Sequence, residues 1–600
     1  MKRRWPEPVR ILVLFNGMSW KADPVEYVLY RLLLAAAVAC LGLVSIALRA
    51  WVNAIIQTGN AFPLAPATLF VASLALPLLL DRGGFYMLMN IREKFVLAVE
   101  RSLLALSVGI PTIEHFERAD YLREMELLVE NRGALASLVS SFNYNVNIFS
   151  RLALVVALLG WIHPLLLLLP LFAFPAVWVE GRMRMRRLSL EDSLAETKRL
   201  ERYYESLAIT AEPGRELRIF NLGQELCRRF LGLRSGIDGQ EDRERVVGGL
   251  ATASGWLVFA TGFAGALAYL AVLVSSGHAS VGDMVMAITL AIQLSVLVPT
   301  VAAGNSELAE IFRAGKRYLW LADYAERVKA QFSLPESQPA PTALREGIRL
   351  EDLSLSYGGD EHFALEDLSV HLPAGSIVAI VGENGAGKTT LVKLLSRMYQ
   401  PAKGAIFVNE VNLQTIEVDS WRSRITAGFQ DFVRLELLAR EGVGVGDLAR
   451  IHDAPAVEQA LVRAEAGDVV AGLPNGLETQ LGRSFDGAEL SGGQWQKMAL
   501  ARAMMRPAPL LVLLDEPTAA LDAEAEYALF QRYAVAARGA RETSGAITIL
   551  VTHRFSNVRM CDLILVLASG RLVEHGTHDE LLAARGLYAE LYELQARQYR

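Results

Sequence analysis

The chain has 600 residues, a formal net charge of −6 and 52% apolar residues, and its length suggests several domains. Its mean hydropathy of +0.29 is high for a soluble enzyme, and the apolar excess lies in the first half. The mild acidity leaves no electrostatic footprint for nucleic acid, and Cys40, Cys227 and Cys561 lie too far apart to share a metal.

A helix that crosses a bilayer needs about 20 mostly apolar residues. Six segments qualify: Leu32–Trp51, Leu64–Leu80, Phe142–Trp161, Pro164–Val179, Leu250–Ser275 and Asp283–Ala303. Their number, length and flanks read as membrane spans rather than buried helices of a soluble protein. Basic residues set the orientation. Lys2, Arg3, Arg4, Arg10, Lys21 and Arg31 precede the first span, and Arg82, Arg92, Lys94, Arg101, Arg118, Arg123 and Arg132 follow the second. Arg182, Arg184, Arg186 and Arg187 follow the fourth. The three opposite loops are nearly bare, with Arg49, His163-Pro164 and Ser275–Gly282. A multi-pass protein of the cytoplasmic (inner) membrane is expected, both termini cytoplasmic. The first segment is charged and its apolar span too long for a cleavable signal peptide.

The third span carries Asn143, Asn147 and Arg151 at i, i+4 and i+8, on one helix face. At about 1.5 Å per residue from Trp161, Arg151 lies about 15 Å deep, near the midplane. Ionisable groups there usually face a cavity or a partner. Gln293 sits at comparable depth in the sixth span, and Asn305 and Glu307 lie near its inner end. Asn147, Arg151 and Gln293 are the candidate substrate residues; interhelical hydrogen bonding is the alternative.

The Pro-rich stretch Ser333–Pro341 reads as a linker. Beyond it, Ile377–Val381 leads into Gly382-Glu383-Asn384-Gly385-Ala386-Gly387-Lys388-Thr389-Thr390, and Leu391–Met398 follows. This is strand, phosphate-binding loop, helix. Its backbone N–H groups can cradle phosphates, Lys388 faces the β/γ-phosphates, and Thr389 offers a hydroxyl to Mg²⁺. The apolar run Leu510–Leu514 ends in Asp515-Glu516. A carboxylate at the end of a buried strand suits Mg²⁺, and Glu516 next to it can polarise a water aimed at the γ-phosphate. Ile547–Val551 leads to Thr552-His553, where a histidine can bond a terminal phosphate. Gln430 follows Ala427-Gly428-Phe429 and can sense Mg²⁺ or the attacking water. Tyr357 precedes the loop and can stack on adenine. Leu490-Ser491-Gly492-Gly493-Gln494 is a second glycine-rich signature.

In this order these residues resemble the nucleotide-binding domain of ABC transporters, from Ile348 to the C-terminus. The resemblance implies an ATPase that binds ATP and Mg²⁺. Tyr357 and the loop from Gly382 to Thr390 would hold the nucleotide, and Thr389, Gln430 and Asp515 the metal. Glu516, His553 and Gln430 would serve catalysis. Ser491, Gly492, Gly493 and Gln494 would complete the site of the opposite subunit, so a homodimer with two active sites is implied. Ala519-Ala520 stand where many relatives carry Ser-Ala.

Two inner connections of about 60 to 70 residues and three short outer ones resemble the six-helix exporter type of the same family. The expected fold is a polytopic α-helical membrane domain (1–332), a linker (333–347) and an α/β P-loop nucleotide-binding domain (348–600). By the same resemblance each inner connection carries a transverse helix against an ATPase domain; Ile113–Ala119 and Ile209–Glu216 are the candidates. The segment Phe429–Arg434 resembles a variant in bacterial exporters of bacteriocin-like peptides. No peptidase domain is expected before the first span, where there is no Cys or His. The implied activity is ATP-driven export by alternating access of a peptide or peptide-like natural product. The alternatives are a flippase for a lipid or lipid-linked precursor, and an ATP-gated channel or regulator. Membrane lipids are expected partners.

Overall fold

A computed structural model describes every residue except 1–5, 59–62, 131, 211–212, 333–336, 358–361, 517–543, 553–554 and 599–600. The chain forms two compact units: Met1–Ala105 with Glu126–Trp320, and Leu106–Met125 with Leu321–Arg600.

The first unit is helical. After α1 (Glu7–Ala22) come α2 (Pro24–Thr58) and α3 (Leu64–Val108). The connection beyond α3 carries α4 (Glu114–Glu117) and α5 (Ala119–Glu130), of which α4 and the start of α5 belong to the second unit. Next are α6 (Arg132–Ile162), α7 (Leu169–Ile209), α8 (Gly214–Ile219), α9 (Gly223–Ser275) and α10 (Val281–Phe332). Among the described residues six helices are long and apolar enough to cross a membrane; five contain a whole expected span, and the fourth span begins in a short 3-10 helix, Pro164–Leu168, ahead of α7. Helices α3, α7, α9 and α10 run well past those spans, because their polar residues keep the helix going where the apolar run stops. The expected helix at Ile209–Glu216 is displaced to α8: α7 continues to Ile209, and Pro213, which fixes its own φ, caps α8.

Close backbone approach joins α7 to α9. A Cβ added at Gly255 would lie 2.6 Å from the Ala176 Cα, and one at Gly262 would lie 2.3 Å from the Phe172 ring. Packing by small residues is how apolar helices associate where lipid is as apolar as they are. At the other side of the bundle, Asn53 of α2 accepts from the Gly282 N–H at 2.9 Å, and Arg49 pairs with Asp283 at 2.6 Å. These contacts tie the end of α2 to the start of α10.

The second unit holds two sheets. β1 (Gly347–Leu355), β2 (Leu365–Pro373), β4 (Lys403–Val408) and β5 (Val411–Asn412) form an antiparallel sheet in the order β2-β1-β4-β5. β3 (Ile377–Gly382), β6 (Ile425–Gly428), β7 (Leu511–Asp515), β8 (Ile547–Val551), β9 (Leu563–Ala568) and β10 (Arg571–Gly576) form the other, in the order β10-β9-β3-β8-β7-β6. Its five strands from β9 to β6 are parallel, and their near-continuous apolar runs suit burial on both faces. In such sheets ligands bind beyond the carboxyl ends of the strands. β3, β6 and β7 all deliver candidate residues there.

Candidate functional site

The phosphate loop leaves β3 and enters α11 (Lys388–Leu395). Gly387 caps that helix at φ 97°, and a Cβ there would meet the Ala364 carbonyl at 2.7 Å, so only glycine fits. Glu383, Asn384 and Gly385 are exposed at the rim, while Ala386 and Thr390 are buried beneath it. Lys388 is buried, and its Nζ donates to the carbonyls of Gly382 and Glu383 at 2.8 and 2.9 Å. Burial pushes its pKa down, and the nearby Glu516 and Asp515 oppose that shift. The ammonium is thus aimed into the loop, where phosphate oxygens can replace the two carbonyls.

Asp515 ends β7 and is buried. Burial pushes its pKa up; the hydrogen bond from Thr389 pulls it down. A carboxylate and a hydroxyl in contact, with room for phosphate oxygens, form a hard oxygen donor set that fits Mg²⁺. Glu516 follows at φ 46°, a left-handed conformation that is unfavourable for a non-glycine residue. Its N–H donates to the Val551 carbonyl at 3.0 Å, which fixes the turn. Strand register aligns the remaining residues: Gly428 opposes Leu514 and Asp515 opposes Val551. Gln430, exposed two residues past Gly428, therefore lies at the same sheet edge as Asp515 and Glu516. His553, Ala519 and Ala520 lie outside the described residues.

Ser491 caps the helix Gly492–Ala503. Its Oγ accepts from the Gln494 N–H at 3.3 Å, and Gln494 Oε1 accepts from the Ser491 N–H at 2.9 Å. This capping box leaves the helix N-terminus, with Gly492 and Gly493, open to solvent and suited to an anion. Tyr357 is half-buried, and its hydroxyl shares a hydrogen bond with the Thr390 Oγ1 at 2.9 Å. That bond ties the aromatic candidate to the helix of the phosphate loop.

In the first unit, Arg151 lines a cavity of about 510 Å³ with Tyr30, Asp81, Arg82, Phe85, Tyr144 and Asn147. Its Nε donates to the Asn147 Oδ1 at 2.7 Å, and an Nη lies 3.2 Å from both carboxylate oxygens of Asp81. On its other side Arg151 lines a second cavity of about 280 Å³ with Gln293, Leu154 and Val296. Asn147, Arg151 and Gln293 are thus gathered at one place. Asn143 is buried away from both cavities. The side chains of Asn305 and Glu307 fall outside the described residues. Sequence reasoning missed Asp81, the carboxylate directly after the second apolar run; an acid inside a helix this apolar was the available signal.

A family model described as ABC transporter matches residues 365–519. The chain is 37% identical over 309 residues to an ATP-dependent lipid A-core flippase of Bordetella avium, covering 50% of this chain and 51% of that protein. Its match to an ATP-dependent lipid A-core flippase of Paraburkholderia xenovorans is 32% over 456 residues, 74% of this chain and 72% of that one. The chain thus spans about half the length of the first relative and nearly three quarters of the second. Among solved structures, a bacterial Atm1-family ABC exporter with ATP bound superposes with a TM-score of 0.74 at 25% identity, over 96% of this chain and 98% of that one. With the phosphate loop, the Asp515-Glu516 strand end and the Ser491 signature on one α/β unit behind six apolar helices, the chain belongs to the ABC transporter family, as an exporter half that joins a membrane domain to an ATP-binding domain.

Proposed function

We propose that two copies of the chain form an ATP-driven flippase that moves a lipid-linked amphiphile across the cytoplasmic membrane by alternating access. The observation that carries this reading is the cavity around Arg151. Its lining combines the polar Asp81, Arg82, Asn147 and Arg151 with the apolar Leu33, Leu34, Leu78, Leu88 and Val296. A substrate with a charged headgroup and an acyl part matches both. The relatives named as lipid A-core flippases support the same class. The peptide reading rests on the polar residues Asn147, Arg151 and Gln293, which suit a polar amphiphile as well, and on Phe429–Arg434, which lies in the ATP-binding unit and says nothing of the cavity.

In this reading Lys388 and the loop N–H groups bind the phosphates. Thr389 and Asp515 would hold Mg²⁺, which screens phosphate charge when bound. Glu516 orients and polarises the attacking water, with Gln430 at the same sheet edge, and His553 is assigned to a terminal phosphate by the resemblance alone. Ser491 of one copy faces the γ-phosphate held by the other copy. The basic flanks of the spans support a cytoplasmic side for both termini and the ATP-binding unit. ATP binding draws the two ATP-binding units together. A swing from 1:99 to 99:1 between inward and outward states needs about 5.5 kcal/mol of differential binding.

The test is ATPase stimulation in proteoliposomes by a phosphorylated glycolipid and by amphipathic peptides. The glycolipid should stimulate, and Arg151→Ala should raise its half-maximal concentration about tenfold, as expected for one charge-assisted hydrogen bond of about 1.5–3 kcal/mol. Stimulation by peptides alone would return the assignment to peptide export.

A further inference from the structure

The connection between α3 and α6 places Glu117, the last residue of α4, among three side chains of the ATP-binding fold. Lys393 Nζ lies 2.6 Å from the Glu117 Oε1, and the Tyr399 hydroxyl donates to the other carboxylate oxygen. The Lys393 ammonium also stands 5.3 Å from the centroid of the Tyr357 ring and 5.7 Å from that of Tyr399. Those two rings meet edge to face at 5.2 Å. Tyr357 is further tied to Thr390, as above, and both Thr390 and Lys393 lie on α11, which starts at Lys388. The segment is seated by its backbone as well. The Ile113 N–H and the Thr112 hydroxyl both donate to the Met398 carbonyl, at 3.3 and 2.7 Å. Arg422 donates to the Pro111 carbonyl at 2.5 Å.

These contacts give the Tyr357 ring a defined place. Its hydroxyl is bonded, its edge meets Tyr399, and a cation stands over its face. A cation over an aromatic face is attracted by the ring quadrupole, more strongly where water is partly excluded. Lys393 has a long, flexible stem, so its position over the ring depends on what holds its ammonium. Glu117 is what holds it.

We propose that Glu117, Lys393 and Tyr399 are positioning residues that hold Tyr357 in the orientation that stacks on the purine of ATP. Base binding is thereby linked to the connection that carries α4. This proposal rests on the reading of Tyr357 as the adenine-stacking ring. Lys393 and Glu117 touch neither phosphate nor metal and act through Tyr357. Their contribution therefore belongs to the base and not to the triphosphate.

The experiment uses the full-length protein in nanodiscs and two probes: a non-hydrolysable ATP analogue, and tripolyphosphate, which has no base. Dissociation constants are measured for wild type, Tyr357→Ala, Lys393→Met, Glu117→Gln and the charge-swapped double variant Glu117→Lys/Lys393→Glu. Lys393→Met and Glu117→Gln should each weaken the ATP analogue three- to tenfold and leave tripolyphosphate within twofold. The double variant should recover at least half of the loss. Unchanged tripolyphosphate binding also certifies that the phosphate loop is folded in each variant. Equal weakening of both probes would overturn the proposal, as would wild-type affinity for the ATP analogue in both single variants. If Tyr357→Ala itself left the ATP analogue unaffected, the stacking reading would fall, and the proposal with it. A loss in Tyr357→Ala without one in Lys393→Met would overturn the proposal alone.

Discussion

Ser491 has two jobs that one substitution can separate. It caps the helix Gly492–Ala503 through its Oγ, and in the proposed dimer it faces the γ-phosphate bound by the other copy. Aspartate caps a helix about as well as serine, whereas losing a cap altogether costs about 1 kcal/mol. By stability, then, Ser491→Asp should resemble wild type and Ser491→Ala should melt lower. By activity the order should invert. Alanine removes one hydrogen bond to a phosphate, about 1.5–3 kcal/mol for a charged acceptor, or roughly ten- to a hundredfold. Aspartate brings a full negative charge to about 4 Å from the γ-phosphate, which costs about 4 kcal/mol at an effective dielectric of 20. That is roughly a thousandfold, and more if the closed interface excludes water. Thermal unfolding and steady-state ATPase, measured on the same preparations, give both orders. If Ser491→Asp hydrolysed ATP as fast as Ser491→Ala or faster, the helix start would not face a phosphate, and the paired-site geometry would have to be abandoned.

Glu516→Gln should keep ATP binding and lower turnover about 10²–10⁴-fold, the range for general-base assistance; undiminished ATPase would remove Glu516 from its role. Gly262→Leu drives a side chain into Phe172 and should lower the melting temperature, since overpacking costs about 1–3 kcal/mol, while Gly265→Leu, whose Cβ meets nothing within 4 Å, should not; equal melting of the two would refute the close α7–α9 packing. His115 is buried against Phe116, Tyr121 and Tyr324, with Glu114 and Arg118 in the same segment, and burial holds its pKa below the usual value. The unfolded chain takes the proton first, so stability should be full above about pH 6.5 and fall as pH drops below it; an unchanged pH slope of the melting temperature in His115→Phe would show that another group carries it. Detergent-solubilised protein should have about twice the 65.8 kDa mass of one chain, and an active monomer would contradict the paired site.

Most of the ATP site was legible because its chemistry is local. Residues 382 to 390, as the candidate phosphate loop, offer consecutive backbone groups and one lysine, so a short string suffices. The pair Asp515-Glu516 and Gln430 are far apart in sequence, yet each follows an apolar strand, and parallel strands end at a common edge. The membrane unit obeys no such rule. Hydropathy located six helices, but a helix wheel alone put Asn143 on the face of Asn147 and Arg151, whereas packing buries Asn143 and opens the other two to the cavity.

What stayed hidden is pairing across distance. Arg151 and Asp81 are 70 residues apart, and Lys393 and Glu117 are 276 apart. In each pair at least one residue does not stand out in its own segment: Asp81 looks like the polar end of a span, and Lys393 like an ordinary surface lysine on a short helix. Only the fold makes them partners. The two pairs also differ in what they do to specificity. Asp81 partly neutralises Arg151, so a headgroup that enters the cavity must offer the arginine a better acceptor than the carboxylate already there. A phosphate does so, with more charge and more oxygens, while a peptide carbonyl does not. In the proposed flippase, an arginine held by a carboxylate would act as a filter that favours anionic headgroups over neutral chains, which is the physical reason for proposing a phosphorylated lipid ahead of a peptide at this site.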